Sequence, residues 1–357
     1  MWVVNDPAVV RSVLLDWNAF PPDNALTAYT RLTGRSLRML AAAGFRLPPT
    51  LASNSGASHR AIRATVARFF SPARVAAAEP LVRRLVEERI PSIRCALAQH
   101  GQADLVELMA ADVPARALLQ LIGLRDVDLR DLRRWSRDSL ELFWGTAVGV
   151  RQEQLAASAG EYFGWLRGQV RRARRSPADD LFSALIDLGL DDDRVCATGY
   201  FLLIAGQETT SMLISTLFQR LVGSPAWRPI ATDTDLLASV LDAALREESS
   251  VPTWRRTVRE ATELAGAVLP AGADLLLTLT GNGGSADAAF GVGVHRCLGA
   301  GLARLEARTV LQCTAAALPG LSLVEESPPR MELLSFSAPA RVLVVDGGPS
   351  APTGTKD

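Results

Sequence analysis

The segment from about Asp193 to Leu221 constrains the fold more than any other part of the chain. It begins with acidic residues, which suit the first turn of a helix, and continues with apolar residues on nearly every helical face around Gly206. A helix that is apolar all round must be buried, because a surface helix keeps a polar face toward water. We therefore expect this helix at the centre of a domain, surrounded by the rest of the chain.

Most of the remaining sequence also has helical periodicity, and strand-like sequence is scarce before residue 250. The Asp6-Pro7 pair, an N-cap followed by a proline, predicts that a short strand at Trp2–Val4 leads into a helix. We predict further helices over 58–70, 72–100 with breaks at Pro80 and Pro91, 103–122, 153–175, 181–188, 236–247 and 298–317, and short strands over 267–270, 275–279, 321–324 and 342–345.

The domain organisation follows from the absence of repeats and linkers in most of the chain. Residues 1–346 contain neither, so we predict one mainly α domain with small β-sheets. Residues 347–357, rich in Gly, Pro, Ser and Thr, are predicted to be a flexible C-terminal tail.

Composition excludes several classes of protein. The 357 residues carry 38 basic and 38 acidic side chains, so no net field attracts nucleic acid or anionic lipid. Hydrophobic residues make up 48% of the chain and charged residues 21%, which excludes a disordered chain. The widely spaced Cys95, Cys196, Cys297 and Cys313, with no basic leader and no apolar run of membrane length, predict a cytoplasmic protein without disulfides or a membrane span.

A glycine-rich loop, Phe290 to Gly299, ends in a cysteine just where the last long helix is predicted to begin. A thiol at a helix N-terminus faces backbone N–H donors and a positive dipole, which favour the thiolate, and a thiolate can ligate iron. A buried structural cysteine after an ordinary turn is the alternative. Zinc is disfavoured, because His295 and Cys297 have no second cysteine or histidine pair at ligand spacing.

The spacing F-x-x-G-x-H-x-C-x-G in this loop resembles the haem-binding signature of cytochrome P450 monooxygenases, with every motif position filled. The resemblance implies a haem b cofactor, iron protoporphyrin IX, with Cys297 as the axial thiolate ligand of the iron. It also implies that Phe290 shields the sulfur, that His295 contacts a haem propionate, and that Gly293 and Gly299 let the backbone approach the ring.

A second resemblance lies in the central helix, where Ala205-Gly206-Gln207-Glu208-Thr209-Thr210 is similar to the family's A-G-x-E/D-T-T stretch over the distal face of the haem. By that resemblance Gly206 lets the helix open locally and leaves room for a small ligand. Glu208 and Thr209 then form an acid–alcohol pair that supplies protons to dioxygen opposite the thiolate. A charged residue and two threonines where the helix turns toward solvent are the alternative.

Two further segments resemble the family's propionate-binding residues. His59 and Arg63 stand four apart, so they share one helix face and match the family's H-x-x-x-R. Arg256 occupies the place of a further propionate arginine, although adjacent Arg255 leaves that register open. Donors of this kind suit carboxylates, while His and Arg at this spacing are also typical of a solvated helix face.

Three features depart from the family pattern. The family's E-x-x-R pair should end at Arg246, but Ala243 stands where the glutamate is expected, and Asp242 is the nearest acidic residue one turn away. Residues 281–289 are far shorter than the family's stretch there and lack its irregular meander. The chain also starts at what resembles the family's first strand–helix unit, so we expect an N-terminally shortened domain.

These features leave two functions open. The first is a haem-thiolate oxidase or monooxygenase of secondary metabolism, which takes electrons from a ferredoxin and a ferredoxin reductase, docked at Arg60, Arg68 and Arg296. The second is a haem-free or catalytically silent P450-like auxiliary protein that activates a partner enzyme such as a glycosyltransferase. The missing glutamate and meander favour the auxiliary, and the intact cysteine loop favours the oxygenase.

A mostly hydrophobic pocket for a small, largely apolar molecule follows from the first hypothesis. The predicted pocket residues, for which ordinary core packing is the alternative, are Leu203, Ile204, Gly206, Thr253, Trp254 and Phe336.

Overall fold

A computed structural model describes residues 1–347, and the predicted tail beyond Gly347 lies outside the described residues. Helices dominate, as the sequence predicts, and small sheets lie at the periphery. Within residues 1–347 the α-helices are α1 Pro7–Leu15, α2 Gly34–Ala42, α3 Gly56–Ala67, α4 Pro72–Ala77, α5 Glu79–His100, α6 Val113–Ile122, α7 Leu129–Trp144, α8 Gly149–Arg175, α9 Leu181–Asp187, α10 Asp192–Leu221, α11 Thr234–Glu247 and α12 Ala300–Ala317.

Helix α10 is the central buried helix that the sequence predicts. The side chain of Asp191 caps it by accepting a hydrogen bond from the N–H of Arg194, and the helix then runs among α6, α7, α8 and α12. By length and composition alone α10 could cross a membrane, contrary to the expectation that no segment approaches that length. However, 78% of its most apolar window is buried inside the protein, which is typical of the core helix of a globular domain.

The strands form small sheets with mixed topology. Strand β6 is central in one sheet, parallel to β1 and antiparallel to β3, and β10 is central in another, antiparallel to β2 and β7. Two hairpins, β4–β5 and β8–β9, complete the sheet content of the described residues. The strand bounds are β1 Trp2–Val4, β2 Ala103–Asp104, β3 Thr253–Thr257, β4 Thr262–Leu264, β5 Ala267–Leu269, β6 Asp274–Thr278, β7 Leu321–Leu323, β8 Arg330–Glu332, β9 Ser337–Pro339 and β10 Leu343–Asp346.

Several predicted boundaries are wrong. Pro91 lies inside a continuous α5, where buried Ile90 and Ile93 hold the helix although a proline removes one backbone hydrogen bond. The predicted helix over 103–122 begins instead as strand β2 and a π-helix, Val106–Ala110, because the chain first pairs with β10. Helices α2 and α7 were not predicted from the sequence.

Two hydrophobic cores result, and the smaller one positions the cysteine loop. The main core surrounds α10 and includes most of the helices. The smaller core packs α1 against the β1–β6–β3 sheet through Val10, Val13, Leu275 and Leu277. The C-terminal end of α1 then contacts the short 3-10 helix Gly293–His295, so burial under the sheet fixes one side of the loop.

Candidate active site

A cavity of about 250 Å³ lies between α10 and the cysteine loop. We call the lining residues of the cysteine loop, within 289–299, the proximal wall, and the lining residues of α10, within 201–213, the distal wall. Strand β3 closes one side through Trp254 and Arg256. The cavity therefore lies where the sequence places its candidate chemistry.

The proximal wall is a loop closed by its own backbone. The N–H of Cys297 donates to the carbonyl of Phe290 at 2.8 Å, and Gly291 and Gly293 have φ of +66° and +71°, a region that glycine enters without strain. A Cβ on Gly293 would lie 3.1 Å from Leu15 Cδ2, and Gly293 does not line the cavity. Gly293 thus permits contact with α1, which differs from the role implied by the family, whereas Gly299 lines the cavity as expected.

Cys297 is placed as the sequence predicts, on the cavity wall just before α12. Its pKa differs from the expectation. The Cys297 side chain is exposed to the cavity, and desolvation by the protein around it still raises the pKa of the thiol above its ordinary value, against the opposing effects of the Gly299 N–H, Arg63 and Arg296. The helix N-terminus alone does not ionise this thiol, so the thiolate would need the charge of a bound metal ion.

Arg256 is a buried cation without a matching anion among the described residues. Its side chain is 1% exposed, Nη1 donates to the carbonyl of Arg255 at 2.8 Å, and Nε has no partner. Burial lowers the pKa of Arg256 to about 10. Arg255 alternates to the other face of β3, where its guanidinium donates to the carbonyls of Ala25 and Thr27. Of the two adjacent arginines that the sequence left open, Arg256 is the one that reaches the cavity.

The histidine pair lies beside the same part of the cavity. The rings of His59 and His295 are 4.6 Å apart, His295 Nε2 bonds the carbonyl of Asn54 at 2.8 Å, and both His59 Nε2 and His295 Nδ1 are buried without partners. Burial, together with His295 and nearby arginines, lowers the pKa of His59 to about 4. Arg63 lines the cavity and donates to the carbonyl of Arg296 at 2.5 Å. His59 is thus neutral at pH 7 and stands behind His295.

The distal wall contains the predicted alcohol, while the predicted acid faces away from the cavity. Thr209 lines the cavity and its hydroxyl donates to the carbonyl of Ala205 at 2.5 Å. Glu208 is 4% exposed and does not line the cavity, since consecutive helical residues do not face each other. Arg137 of α7 approaches its carboxylate at 3.7 Å, and burial raises the pKa of Glu208 despite this cation. The acid and the alcohol are neighbours without a direct hydrogen bond.

Gly206 lines the cavity but does not open the helix. Helix α10 continues through residue 206, and the hydroxyls of Thr209 and Thr210 bond back to the carbonyls of Ala205 and Gly206. A Cβ at Gly206 would lie 2.7 Å from Leu118 Cδ2. The glycine therefore lets α6 pack closely against α10, and the predicted local opening of the helix is wrong.

The predicted pocket residues divide into two groups. Ile204, Gly206, Trp254 and Phe336 line the cavity, as the sequence predicts. Leu203 and Thr253 do not line the cavity, contrary to the prediction. Leu203 is fully buried in the core, and the Thr253 hydroxyl donates to the carbonyl of Leu334. Leu202 takes the place of Leu203, one helical step away.

An aromatic cluster above the cavity includes a residue that the sequence analysis missed. The Trp144 ring centroid lies 5.0 Å from that of Phe336 and 6.2 Å from that of Trp254. Trp144 is the last residue of α7. The sequence of α7 is rich in charged residues, but its apolar residues still repeat at helical spacing. That periodicity was the available signal.

The missing glutamate of the E-x-x-R pair leaves Arg246 exposed at the end of α11. Asp242, the nearest acidic residue, pairs with a residue other than Arg246. Its carboxylate accepts a hydrogen bond from Nη1 of Arg304 on α12, at 2.5 Å. Asp242 therefore joins α11 to α12.

Comparisons with known proteins agree on one family. The chain is 30% identical over 283 residues to the erythromycin C-12 hydroxylase of Saccharopolyspora erythraea, covering 71% of this chain and 69% of that protein. It is 29% identical over 291 residues to the cytochrome P450 monooxygenase PikC of Streptomyces venezuelae, covering 74% and 68% of the two chains. The solved structure of cytochrome P450 CREJ in complex with (4-ethylphenyl) dihydrogen phosphate superposes with a TM-score of 0.90 at 29% identity, covering 96% of this chain and 91% of that one. No family model matches the chain.

The chain belongs to the cytochrome P450 family. It is accordingly a monooxygenase, an oxidoreductase that uses a haem cofactor, a small-molecule substrate and a redox partner.

The residues around the cavity fit a haem. A cysteine at the proximal wall offers the axial ligand, and the cavity beside it is largely apolar. The unpartnered Nε–H of Arg256 suits a haem carboxylate. His295 Nδ1 can donate there only when the ring is protonated, because Nε2 already donates to the carbonyl of Asn54. A group bound in the cavity would supply partners for these buried atoms.

Proposed function

We propose that this protein is a cytoplasmic haem-thiolate monooxygenase of secondary metabolism that oxidises a small, largely apolar molecule. The observation that carries the proposal is the position of Cys297 on an apolar cavity, opposite Thr209 and beside the unpartnered guanidinium Nε of Arg256. In this proposal Cys297 would hold haem b, Arg63, Arg256 and His295 would bind its propionates, and Phe290 would shield the sulfur. A haem ligated by thiolate supplies the activation of dioxygen.

The chain's own residues then orient the substrate and move protons. The rings of Trp144, Trp254 and Phe336 offer apolar surface for the substrate and exclude water from the distal side. The hydroxyl of Thr209 delivers protons at the distal wall. Glu208 acts as the proton reservoir, because burial raises its pKa and Arg137 links it to the exposed side of α7. In this proposal a water molecule would carry the proton between Glu208 and Thr209, since they share no hydrogen bond.

A ferredoxin and its reductase are proposed as the source of electrons. Arg60 lies on α3, Arg68 follows its last residue, and Arg296 lies in the cysteine loop that Arg63 of α3 contacts; all three are exposed, and such cations suit an acidic ferredoxin. Reversing the charges of Arg60 and Arg68 should slow electron delivery, while substrate affinity measured by spectral titration stays unchanged. An equal loss of both quantities would indicate misfolding and would contradict the docking surface.

The deciding experiment is the reduced, carbon-monoxide-bound difference spectrum of protein expressed with a haem precursor. Wild-type protein should show a red-shifted Soret band, and Cys297→Ala should lack it. Cys313→Ala is the matched control. Cys313 lies within α12, the helix that follows Cys297, but does not line the cavity, so this variant should keep the band. A folded but colourless wild-type protein would overturn the proposal and favour the auxiliary role.

A further inference from the structure

Arg304 on α12 lies at the junction of the elements that the family's E-x-x-R pair and meander would join. Its Nη1 donates to Asp242 Oδ1 of α11 at 2.5 Å, and its Nη2 donates to Asp287 Oδ1 at 3.2 Å. Asp287 belongs to the 3-10 helix Ala286–Phe290, which leads directly into the cysteine loop. The guanidinium also lies over the ring of Phe290, at 5.3 Å from its centroid. One side chain thus contacts α11, the short 3-10 helix and the first residue of the loop.

We propose that Arg304 is the positioning residue that holds the cysteine loop in this chain, in place of the absent glutamate and meander. The proposal rests on the proposed function, because the loop is positioned for a haem at Cys297. Two observations are consistent with this role. Arg246 is exposed, and Asp242, next to the vacant glutamate position, pairs with Arg304 of α12.

The chemistry of arginine suits this position. A planar guanidinium can donate to two carboxylates in different directions while its face packs on an aromatic ring. The Arg304 side chain is 27% exposed, so its pairs are partly shielded from water, whereas Asp242 and Asp287 are 44% and 65% exposed. Each ion pair alone contributes little to stability at such exposure. Two ion pairs and a stacked aromatic ring together hold the loop against α11 and α12. A lysine would keep the charge but lose the fork and the stacking.

The contacts continue from Arg304 into the loop that carries Cys297. Asp287 Oδ1 is also 3.7 Å from Nη2 of Arg296, the residue before the cysteine. The carbonyl of Arg296 in turn accepts a hydrogen bond from Nη2 of Arg63 on α3, at 2.5 Å. Both ends of the loop are therefore linked to Arg304, one through the Phe290 ring and the other through Asp287 and Arg296.

The test compares Arg304→Met with Arg308→Met, a substitution of the same type one turn further along α12 at an exposed arginine. The first measurement is hydrogen exchange in the haem-free protein at the amides of Gly291, Arg296 and Cys297, which bond within or beside the loop. Loss of two charge pairs and a cation–π contact should speed exchange there by roughly tenfold in Arg304→Met. Arg308→Met should exchange at the wild-type rate, and equal rates in both variants would overturn the proposal.

A second measurement uses the haem-loaded protein. Arg304→Met should lose haem roughly tenfold faster and show a smaller share of the red-shifted Soret band in its carbon-monoxide complex. Arg304→Lys should recover only part of both properties. A variant that loses thermal stability throughout the molecule, with unchanged relative exchange at the loop, would show a general structural role and would overturn the proposal.

Two milder substitutions keep the test decisive if Arg304→Met does not fold. Asp242→Asn removes the pair with Arg304, and Asp287→Asn removes the pairs with Arg304 and Arg296. Combining them should cost less than their separate effects predict, because both act through Arg304. Strict additivity would contradict the tie. Failure of the two proposals is distinguishable: wild-type protein without the red-shifted band refutes the haem-thiolate function, while exchange in the haem-free variants still decides the role of Arg304.

Discussion

The proximal and distal walls of the cavity are built from different kinds of contact. The proximal wall belongs to the cysteine loop, which is closed by a backbone hydrogen bond from Cys297 to Phe290 and contains the positive-φ glycines Gly291 and Gly293. The distal wall is one face of α10, whose side chains depend on neighbours far away in sequence, such as Arg137 for Glu208. Local contacts give the first wall its shape, and tertiary packing selects which residues of α10 form the second.

The position of a residue is easier to predict from the sequence on the proximal wall than on the distal wall. On the proximal wall a residue's place in the motif fixes its position, because the loop has few conformations. On a helix, by contrast, one step in sequence rotates a side chain by about 100°, which is the step from Leu202 on the cavity to Leu203 in the core. The following predictions test the two walls against each other.

The largest expected effect separates neighbours on the distal helix. Leu203→Ala should lower the free energy of unfolding by about 2–5 kcal/mol, because it leaves a cavity in a fully buried site. Leu202→Ala should cost less stability, since it enlarges a cavity that already exists, and should instead change substrate affinity. Denaturant unfolding and spectral titration measure the two effects. A reversal of the two phenotypes would contradict the assignment of the cavity face.

The next effect concerns the cationic side of the cavity. Arg256→Met should speed haem loss roughly 10- to 100-fold, because a charge-assisted hydrogen bond to a carboxylate is removed. The haem-free variant should be at least as stable as wild type, since a buried cation without a matching anion is gone. Arg255→Met should show the opposite, with lower stability from lost bonds to Ala25 and Thr27 and little change in haem loss. Haem transfer to an acceptor protein and thermal melting distinguish the two.

A smaller effect is expected at the distal alcohol. Thr209→Ala should lower the product formed per electron pair by about tenfold, with the electrons appearing as hydrogen peroxide, because the hydroxyl no longer delivers protons. Thr198→Ala is the matched control: its hydroxyl makes the same type of bond back to the carbonyl of Arg194 in α10, away from the cavity. Full coupling in Thr209→Ala, or equal uncoupling in both variants, would refute the role of Thr209.

The smallest effect compares buried carboxyls on the two helices. Burial raises the pKa of Glu306 well above its ordinary value, and neither of its oxygens has a partner, whereas Glu208 has Arg137 nearby. Between the unfolded and folded pKa the folded protein holds the extra proton, so the free energy of unfolding falls as pH rises through this interval.

Glu306→Gln removes this titration. The variant should therefore gain stability relative to wild type as pH rises from 5 to 8, and Glu208→Gln should gain less because it strands Arg137. Thermal melting across that pH range measures both. A stability difference that does not depend on pH would contradict a neutral Glu306 in the folded protein.

Much of the fold was predictable because strong local signals agree with it. The acidic start and uniform apolarity of α10 identified the central helix, and Asp6-Pro7 identified the start of α1. The same rules placed breaks at Pro91 and missed α7, because propensity is overridden where burial stabilises a helix. Within the site, Cys297, His295 and Thr209 were found by pattern, whereas Trp144, Leu202 and Arg304 have no motif of their own.

The sequence by itself determined which residue types form the proximal wall and the presence of an acid and an alcohol on a buried helix. Spacing and residue type are sufficient there, since the contacts join residues close together in the chain. Only the tertiary structure decided that Glu208 turns toward Arg137, that Arg256 and not Arg255 reaches the cavity, and that Asp242 pairs with Arg304. Those outcomes depend on which elements pack together, and the free energy of packing is set by the whole core.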